Sequence, residues 1–314
     1  MITGDCRVEL AKLDPRSVQT CVTSPPYFQL RNYNSPDQIG IEAEISDYIA
    51  KLVGVFRGVR DVLTDDGTLW IIIGDTYASK TMRGMGEDVI KPKDVIGIPW
   101  MLAFALRQDG WYLRQDIIWD KPNPVPESVR NRCTKAHEYI FLLSKQPVYY
   151  YDRMAIAEPA IYAEEHARKK TSWGKKKFNV NKNNIEKYQL LGTENNKTCL
   201  PGGMRNKRSV WTMKVQPYKG AHFATYPEDL IEPCILATTR RGDTVLDPFT
   251  GSGTTGVVAK RAGRNFIGIE LNPDYVRLAE DRIARAEGAV ADIEAPLPDT
   301  LIDDIDHDGI INWG

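Results

Sequence analysis

The sequence predicts an α/β protein whose core is a mainly parallel, twisted β-sheet covered by helices on both faces. Short apolar runs at 18–23 and 69–73 flank a segment, 45–63, in which apolar residues recur at helical spacing. The C-terminal part repeats the alternation of strand and helix at 244–246, 254–262, 266–269 and 273–286. Parallel sheets of this kind bind ligands at the carboxyl ends of their strands. We therefore expect the functional site at that edge of the sheet.

Further segments complete the predicted sheet and its covering layers. Helices fit 98–107 and 227–239, and extended apolar stretches fit 116–119 and 139–143. The two extended stretches are expected to form an antiparallel edge of the sheet. From 157 to 206 the periodic pattern is lost, and a segment of this length is better explained as an insertion than as a loop.

Composition limits the class of protein more than its chemistry. With 314 residues and 42% apolar content, the chain can bury one large core. The sequence shows neither a run of eighteen apolar residues nor a basic and apolar leader, so a cytoplasmic location without membrane contact is expected. The five cysteines lie far apart without CxxC or Cys/His spacing, which argues against disulfides and a zinc site. Free thiols and no metal are expected.

A glycine-rich segment follows the predicted strand at 244–246. Residues 247–254 read Asp-Pro-Phe-Thr-Gly-Ser-Gly-Thr and open a helix, where the backbone can turn tightly and offer free N–H groups to a ligand. Glu270 ends the next strand, where a carboxylate can accept hydrogen bonds from ribose hydroxyls. Threonine stands where a phosphate-binding loop requires lysine, so a nucleoside without phosphates fits better. In the alternative interpretation no ligand binds: Gly251 and Gly253 form a tight turn from strand to helix, and Glu270 caps a helix.

A second motif, Ser24-Pro25-Pro26-Tyr27, ends the predicted strand at 18–23. The prolines stiffen the backbone and Tyr27 presents an aromatic face, so the segment looks like a place for chemistry on a flat ring. The structural alternative is a strand terminator followed by a core aromatic residue. Since both motifs end strands, we expect them to meet in one site.

These motifs resemble those of the S-adenosylmethionine-dependent DNA amino-methyltransferases, in the β arrangement where the catalytic motif precedes the cofactor loop. Residues 245–254 are similar to that family's cofactor loop, residues 268–273 to its ribose-binding segment, and Gly4-Asp5-Cys6 to its acidic motif near the adenine. Other stretches that resemble the family are 119–123, 137–138 and 222–227. The resemblance covers most of the chain.

The resemblance implies a Rossmann-like methyltransferase fold with a circularly permuted motif order and an inserted basic target-recognition region. It implies S-adenosylmethionine as the cofactor and methyl transfer to the amine of a base flipped out of duplex DNA. The catalytic residues that it implies are Ser24, Pro25, Pro26 and Tyr27. The cofactor-binding residues that it implies are Asp5, Asp247, Phe249, Gly251, Ser252, Gly253, Thr254, Glu270 and Asn272.

The target base depends mainly on the first residue of the catalytic motif. In the family that this chain resembles, the serine form is usually linked to cytosine N4 and the aspartate form to adenine N6. Ser24 therefore favours cytosine N4, with adenine N6 as the alternative. An RNA or protein amide methyltransferase is a more distant alternative, because those usually carry asparagine first and place the motif after the cofactor loop. A second distant alternative is a DNA-binding protein that has lost catalysis.

This interpretation divides the chain into a catalytic part (1–156), a target-recognition insertion (157–210), a cofactor-binding part of the same domain (211–288) and an acidic tail (289–314). The net charge is −1, yet residues 162–210 contain twelve basic and four acidic residues. Such a segment can neutralise DNA phosphates, and a solvated basic loop is the alternative. The candidate DNA contacts are Lys169, Lys170, Lys175, Lys176, Lys177, Arg205, Lys207 and Arg208. Duplex DNA is the expected partner. Whether a cognate restriction endonuclease is a second partner, and whether the protein is a monomer or a homodimer, are left open.

One cysteine invites a different interpretation. Pro233-Cys234 resembles the nucleophile of cytosine C5 methyltransferases. It precedes the cofactor loop and lies in a predicted helix, and methylation of an amine needs no covalent attack on the base. Cys234 is therefore predicted to be a packed thiol.

Overall fold

The structure is a computed structural model that describes residues 1–30, 38–86, 88–160, 204–215 and 226–286. The strands of its main sheet are β1 (Ile2–Thr3), β2 (Val18–Thr23), β3 (Leu63–Ile73), β6 (Tyr112–Asp120), β7 (His137–Ser144), β10 (Val210–Thr212), β11 (Thr244–Asp247) and β12 (Asn265–Glu270). They lie in the order β1-β12-β11-β2-β3-β7-β6-β10. Two small antiparallel pairs are β4 (Met82–Arg83) with β5 (Val89–Ile90), and β8 (Glu158–Pro159) with β9 (Met204–Arg205).

The helices that cover the sheet are α1 (Cys6–Glu9), α2 (Ile45–Val62), α3 (Ile98–Gln108), α4 (Glu228–Thr238), α5 (Thr254–Arg261) and α6 (Pro273–Arg285). The longest of them, α2, forms because its apolar residues recur three or four positions apart and bury one face. Ile45, Ile49, Leu52, Phe56 and Val59 are each at most 2% exposed. The predicted alternation of strands and helices is thus confirmed.

The strand β3 shows how the sheet organises the core. Leu69, Ile71 and Ile73 pack with the cluster that contains α2 and α3, whereas Trp70 and Ile72 pack with the cluster that contains α4. Successive side chains of a strand point to opposite faces, so a strand that is apolar throughout needs cover on both sides. The helices supply that cover, and the prediction of a sheet covered on both faces is confirmed.

The two motifs meet because the strands that precede them, β2 and β11, are neighbours in the sheet. These strands pair in parallel, with Val245 opposite Thr20 and Leu246 opposite Cys21. From β2 the chain crosses over through α2 to β3 on one side, and from β11 it crosses through α5 to β12 on the other. The point between β2 and β11 is therefore the topological switch, where open α/β sheets bind their ligands.

The position of the antiparallel strand differs from the prediction. β7 is antiparallel to its neighbours β3 and β6, but it lies inside the sheet and not at its edge. The short strand β10 adds to β6 in parallel and forms the outer strand on this side. The sequence did not indicate β10 as a strand because it contributes three residues, too few for a periodic pattern. It pairs through Val210, the last residue of the predicted insertion.

The strand predicted at 69–73 is longer than expected. β3 starts at Leu63, immediately after α2, and runs through a polar stretch that contains Gly67. Leu63 pairs with Val18, and the register then shifts before Thr20 pairs with Thr68. Such an irregularity in the pairing tolerates polar residues and glycine that otherwise indicate a turn. Among the helices described, none is long and apolar enough to span a bilayer.

Candidate active site

A cavity of about 540 Å³ lies at the edge of the sheet where β2, β11 and β12 end. Its walls include both motifs. The sequence-predicted site residues that line it are Ser24, Pro25, Pro26, Tyr27, Asp5, Phe249, Gly251, Ser252, Thr254, Glu270 and Asn272. Asp247 and Gly253 were predicted with them but do not line the cavity. The two motifs thus share one cavity, although they lie at opposite ends of the sequence.

Asp247 joins the two motifs underneath the cavity. It is fully buried, and its carboxylate accepts hydrogen bonds from Thr23 Oγ1 at 2.6 Å, Thr255 Oγ1 at 2.8 Å, Tyr226 OH at 3.1 Å and the backbone N–H of Phe249 at 3.0 Å. Burial raises the pKa of Asp247, and the hydrogen bonds oppose that rise. Because four donors occupy its oxygens, the geometry supports a structural link between β2 and β11 better than direct contact with a ligand.

The two glycines of the loop have different roles. Gly253 has φ of 82°, and a Cβ built there would lie 2.8 Å from Ala279 Cβ and 3.0 Å from Ala279 Cα. Gly253 therefore lets α5 begin and lets the loop pack against α6. Gly251 has φ of 52°, and the nearest atom to an added Cβ is the Phe249 carbonyl oxygen at 3.9 Å. Open space beside Gly251 lets a ligand approach the backbone closely.

Glu270 forms the acidic wall beside the glycine loop. Its carboxylate accepts hydrogen bonds from the backbone N–H groups of Gly251 and Asn272, both at 2.9 Å. Burial raises the pKa of Glu270, and the two N–H groups oppose the rise. A carboxylate has about four acceptor positions, so Glu270 can also accept from a hydroxyl of a ligand.

Three other polar residues of this wall are held in place by the protein itself. Asp5 caps α1 through the Arg7 N–H at 2.9 Å and also pairs with the Arg7 guanidinium, which lowers the pKa of Asp5. Asn272 caps α6 by accepting from the Asp274 N–H at 2.9 Å. The Ser252 Oγ accepts from Arg282 at 2.7 Å. Pairing within the protein fixes their orientation toward the cavity.

The Ser-Pro-Pro-Tyr motif forms the opposite wall. The Pro26 carbonyl accepts a hydrogen bond from Tyr48 OH at 2.7 Å, which anchors the turn to α2. Tyr27 is partly buried, and its hydroxyl donates to Glu138 Oε2 at 2.7 Å. Burial and the Glu138 charge raise the pKa of Tyr27 well above its usual value, so the phenol stays protonated.

The site contains three residues to which the sequence assigned no role. Lys121 and Glu138 line the cavity and form an ion pair, and the Lys121 ammonium lies 4.2 Å from the centre of the Trp119 ring. Gly74 follows β3, and a Cβ there would lie 2.8 Å from Tyr27 Cε2. The sequence signal for a role of Lys121 and Glu138 was that they fall in stretches that resemble the methyltransferase family. The residues that they contact could not be inferred from the sequence.

The basic residues of the predicted insertion are only partly described. Arg205 and Arg208 pair with Glu158 at 3.0 and 2.7 Å, and Lys207 lies 5.1 Å from the centre of the Trp211 ring. The remaining candidates, Lys169, Lys170, Lys175, Lys176 and Lys177, lie outside the described residues. The DNA-binding role of both groups therefore stays a prediction.

Cys234 lies on α4 and is fully buried in the core. Burial raises the pKa of its thiol far above the usual value, so the nucleophilic thiolate is disfavoured. The prediction of a packed thiol is confirmed. Within the described part of the chain, no three His, Cys, Asp or Glu residues are grouped so that they could hold a metal ion.

The fold and the cavity define an α/β protein in which a glycine loop and a Ser-Pro-Pro-Tyr turn line one cavity at the topological switch. Residues 18–281 match the family model described as DNA methylase. The chain is also 45% identical to the type II methyltransferase M.SmaI of Serratia marcescens, over 91% of this chain and 90% of that protein. It is 43% identical to the type II methyltransferase M.Cfr9I of Citrobacter freundii, over 94% and 91% of the two chains. The chain belongs to the DNA methylase family.

Solved structures share the fold. A Thermus thermophilus protein solved with S-adenosyl-L-methionine, and described as a putative DNA modification methylase, is 25% identical with a TM-score of 0.56, over 90% of this chain and 92% of that one. The PvuII DNA methyltransferase, described as cytosine-N4-specific, is 19% identical with a TM-score of 0.61, over 89% and 84% of the two chains. The fold predicted from the sequence is confirmed.

Proposed function

We propose that the protein transfers a methyl group from S-adenosylmethionine to the N4 amine of a cytosine flipped out of duplex DNA. The observation that carries this proposal is the single cavity lined by both the Ser-Pro-Pro-Tyr turn and the glycine loop with Glu270. A donor and an acceptor of a methyl group must meet in line, and one cavity with two chemically different walls allows that.

The residues of the glycine loop fit the cofactor. Glu270 has acceptor positions left for ribose hydroxyls, Gly251 leaves room for close approach, and Phe249 supplies an apolar surface in the cavity. S-adenosylmethionine would supply an electrophilic methyl group on a sulfonium sulfur. The protein's own task is then to bind and orient the two reactants. The complex of the Thermus thermophilus relative with this cofactor supports the assignment.

The opposite wall fits an exocyclic amine. Such an amine is a poor nucleophile because its lone pair is delocalised into the ring. The Ser24 oxygen and the Pro25 carbonyl can accept its two hydrogens and favour a tetrahedral nitrogen, while the Tyr27 ring can stack on the base. The Pro26 carbonyl already accepts a hydrogen bond from Tyr48 OH, so the Pro25 carbonyl is the acceptor proposed for the amine. Cytosine is proposed over adenine on the identity of Ser24.

The reaction can be tested directly on DNA. Purified protein is incubated with methyl-labelled cofactor and unmethylated DNA amplified from a bacterial genome, and the digested nucleosides are identified by mass spectrometry. We expect labelled N4-methylcytosine. Label on N6-methyladenine would contradict the choice of base, and label on cytosine C5 or an absence of label would contradict the proposal as a whole.

We propose residues 157–210 as the part that selects the DNA sequence, within a type II restriction-modification context such as the names of the relatives describe. Its excess of positive charge supports this role. Each phosphate contact contributes roughly 0.9 to the slope of log affinity against log salt. Replacing Lys175, Lys176 and Lys177 by alanine should therefore lower that slope by up to about 3. An unchanged slope in filter-binding titrations would contradict phosphate contact by these lysines.

A further inference from the structure

The loop between β6 and β7, residues 121–136, lies at the rim of the cavity. It joins strand ends that are paired at Asp120 and His137, at the same edge of the sheet as the cavity. Lys121 lines the cavity at the start of the loop, and Glu138 lines it just beyond the end. A duplex that places one of its bases in the cavity must therefore lie against this loop.

Hydrogen bonds hold both sides of the loop in place. Near its start, the Asn123 side chain donates to the Val215 carbonyl at 3.0 Å and accepts from the Val215 N–H at 2.9 Å. Val215 itself lines the cavity. On the returning side, the Glu127 carboxylate accepts from the Lys135 N–H at 3.1 Å. The tip of the loop, residues 124–126, is therefore presented from a fixed base beside the cavity.

The tip of the loop is apolar and stiff. It reads Pro124-Val125-Pro126, and Val125 is 81% exposed, more than any other large apolar side chain among the described residues. Proline fixes φ near −65°, so a tip with a proline on each side of the valine loses little conformational entropy when it is buried. A single exposed valine is ordinary on a protein surface. This one differs because it is held out on a stiff tip at the rim of a cavity.

The rest of the loop carries an excess of positive charge. One acid, Glu127, stands against four basic residues, Lys121, Arg130, Arg132 and Lys135. Duplex DNA presents charged phosphates on the outside of an apolar stack of bases, and a basic surface around an apolar tip complements both. The partner whose chemistry this loop fits is therefore the duplex from which the target base is taken.

We propose that Val125 inserts into the base stack of the DNA and fills the space that the flipped base leaves. This rests on the proposed function in that the target base must leave the duplex to reach the cavity. Extrusion of a base removes stacking contacts from its neighbours, and proteins that unstack base steps insert apolar side chains between them. Val125 replaces part of the lost apolar contact, and the two prolines keep it extended toward the DNA.

The first test replaces Val125 by alanine and uses a short duplex that contains the site identified in the labelling experiment. Because two methyl groups are lost from the inserted tip, kcat/KM should fall about tenfold. Val125→Leu keeps an apolar tip and should stay within about threefold of the unaltered protein. Val148→Ala is the matched control and should leave kcat/KM unchanged, because Val148 is 71% exposed but follows β7 at the opposite edge of the sheet. Binding of S-adenosylmethionine and thermal melting should be unchanged in all three variants, since both valines lie outside the core.

The second test uses a duplex in which flipping is easier. A target cytosine opposite an abasic site has no pairing partner, so it leaves the stack at a lower free-energy cost. Val125→Ala should then lower kcat/KM by less than about threefold, because the step that Val125 assists is no longer limiting. A duplex with 2-aminopurine at the target position gives a direct signal, since the fluorescence of this base rises when it leaves the stack. At saturating protein the rise should be smaller with Val125→Ala than with the unaltered protein.

Three results would overturn the proposal for Val125 while the proposed function stands. These are full activity of Val125→Ala on the paired duplex, an equal loss of activity on the paired and abasic duplexes, and an equal rise of 2-aminopurine fluorescence with and without the substitution. Failure of the proposed function is recognised separately, because the unaltered protein would then put no label on a DNA amine. In that case the role of Val125 falls with it.

Discussion

The two walls of the cavity are built in different ways. The glycine-loop wall comes largely from segments that are continuous in sequence, and its polar groups bond to nearby backbone, as Glu270 does with Gly251 and Asn272. On the Ser-Pro-Pro-Tyr wall, Tyr27 meets Glu138, which is 111 residues away, and Glu138 on β7 meets Lys121, the residue that follows β6. The first wall is a local motif, and the second exists only after the sheet has assembled.

This difference explains how well each wall can be predicted. A tight turn before a helix has the same geometry wherever it occurs, so its sequence indicates its function. A contact between residues on different strands depends on strand order and register, which no local pattern encodes. Variants that affect one wall and spare the other test whether this distinction holds for binding and catalysis.

The largest effect is expected where the two walls are joined. Asp247→Ala removes the acceptor of four buried hydrogen bonds and should lower the free energy of unfolding by about 3–5 kcal/mol, because the donors of Thr23, Thr255 and Tyr226 lose their partner. Chemical denaturation measures this loss. A variant as stable as the unaltered protein would show that Asp247 does not link β2 to β11.

Gly253→Ala should disrupt the glycine-loop wall alone. The added Cβ would clash with the Ala279 backbone, and alanine disfavours φ of 82°, so a stability loss of about 2–4 kcal/mol is expected together with weaker binding of S-adenosylmethionine. Gly251→Ala is the matched control for stability, since its Cβ would enter open space and meet no backbone atom of another element. The same methyl group would occupy the space left for the ligand, so this variant should also bind S-adenosylmethionine more weakly. Equal losses of stability for the two variants in differential scanning fluorimetry would contradict the assignment.

Tyr27→Ala should disrupt the opposite wall alone. Loss of the stacking surface and of the contact with Glu138 is expected to lower kcat/KM about 100-fold, roughly 2.7 kcal/mol, while the affinity for S-adenosylmethionine stays the same. Methylation kinetics and calorimetry on one protein preparation measure both quantities. A parallel loss of cofactor affinity would mean that the two walls are not independent.

A smaller effect is expected from pH on the binding of S-adenosylmethionine. The pKa of Glu270 is raised by burial, and only the ionised form offers all its acceptor positions to ribose hydroxyls. Affinity should therefore be full well above the raised pKa and fall as the pH is lowered through it. Glu270→Gln should bind about tenfold more weakly at neutral pH and lose this part of the pH dependence. Equal pH profiles for the two proteins would exclude Glu270 as the titrating group.

Much of the fold could be predicted because its signals are local. The strand at 18–23 has the predicted bounds, and the helices at 45–63 and 273–286 end within one residue of their predicted limits. The position of β7 could not be predicted. Periodicity shows that a segment is a strand but not which strands lie beside it, and β10 is too short to be recognised.

β7 also explains why Glu138 received no role. The rule for α/β sheets directs attention to the carboxyl ends of strands, where Ser24, Gly74 and Lys121 follow β2, β3 and β6. Because β7 runs antiparallel to both neighbours, its amino end lies at that same edge and brings Glu138 opposite Trp119. The direction of one strand therefore decides which residue faces Tyr27.

The sequence by itself determined the class of fold, the two motifs and their order, and the kinds of ligand that they can hold. These depend on periodicity, turn geometry and side-chain chemistry within a few consecutive residues. The tertiary structure decided that Asp247 bonds to Thr23 from 224 residues away and that Glu138 and Lys121 complete the wall at Tyr27. Hydrogen-bond partners over such separations are chosen by strand order and register, which are fixed only when the whole sheet packs.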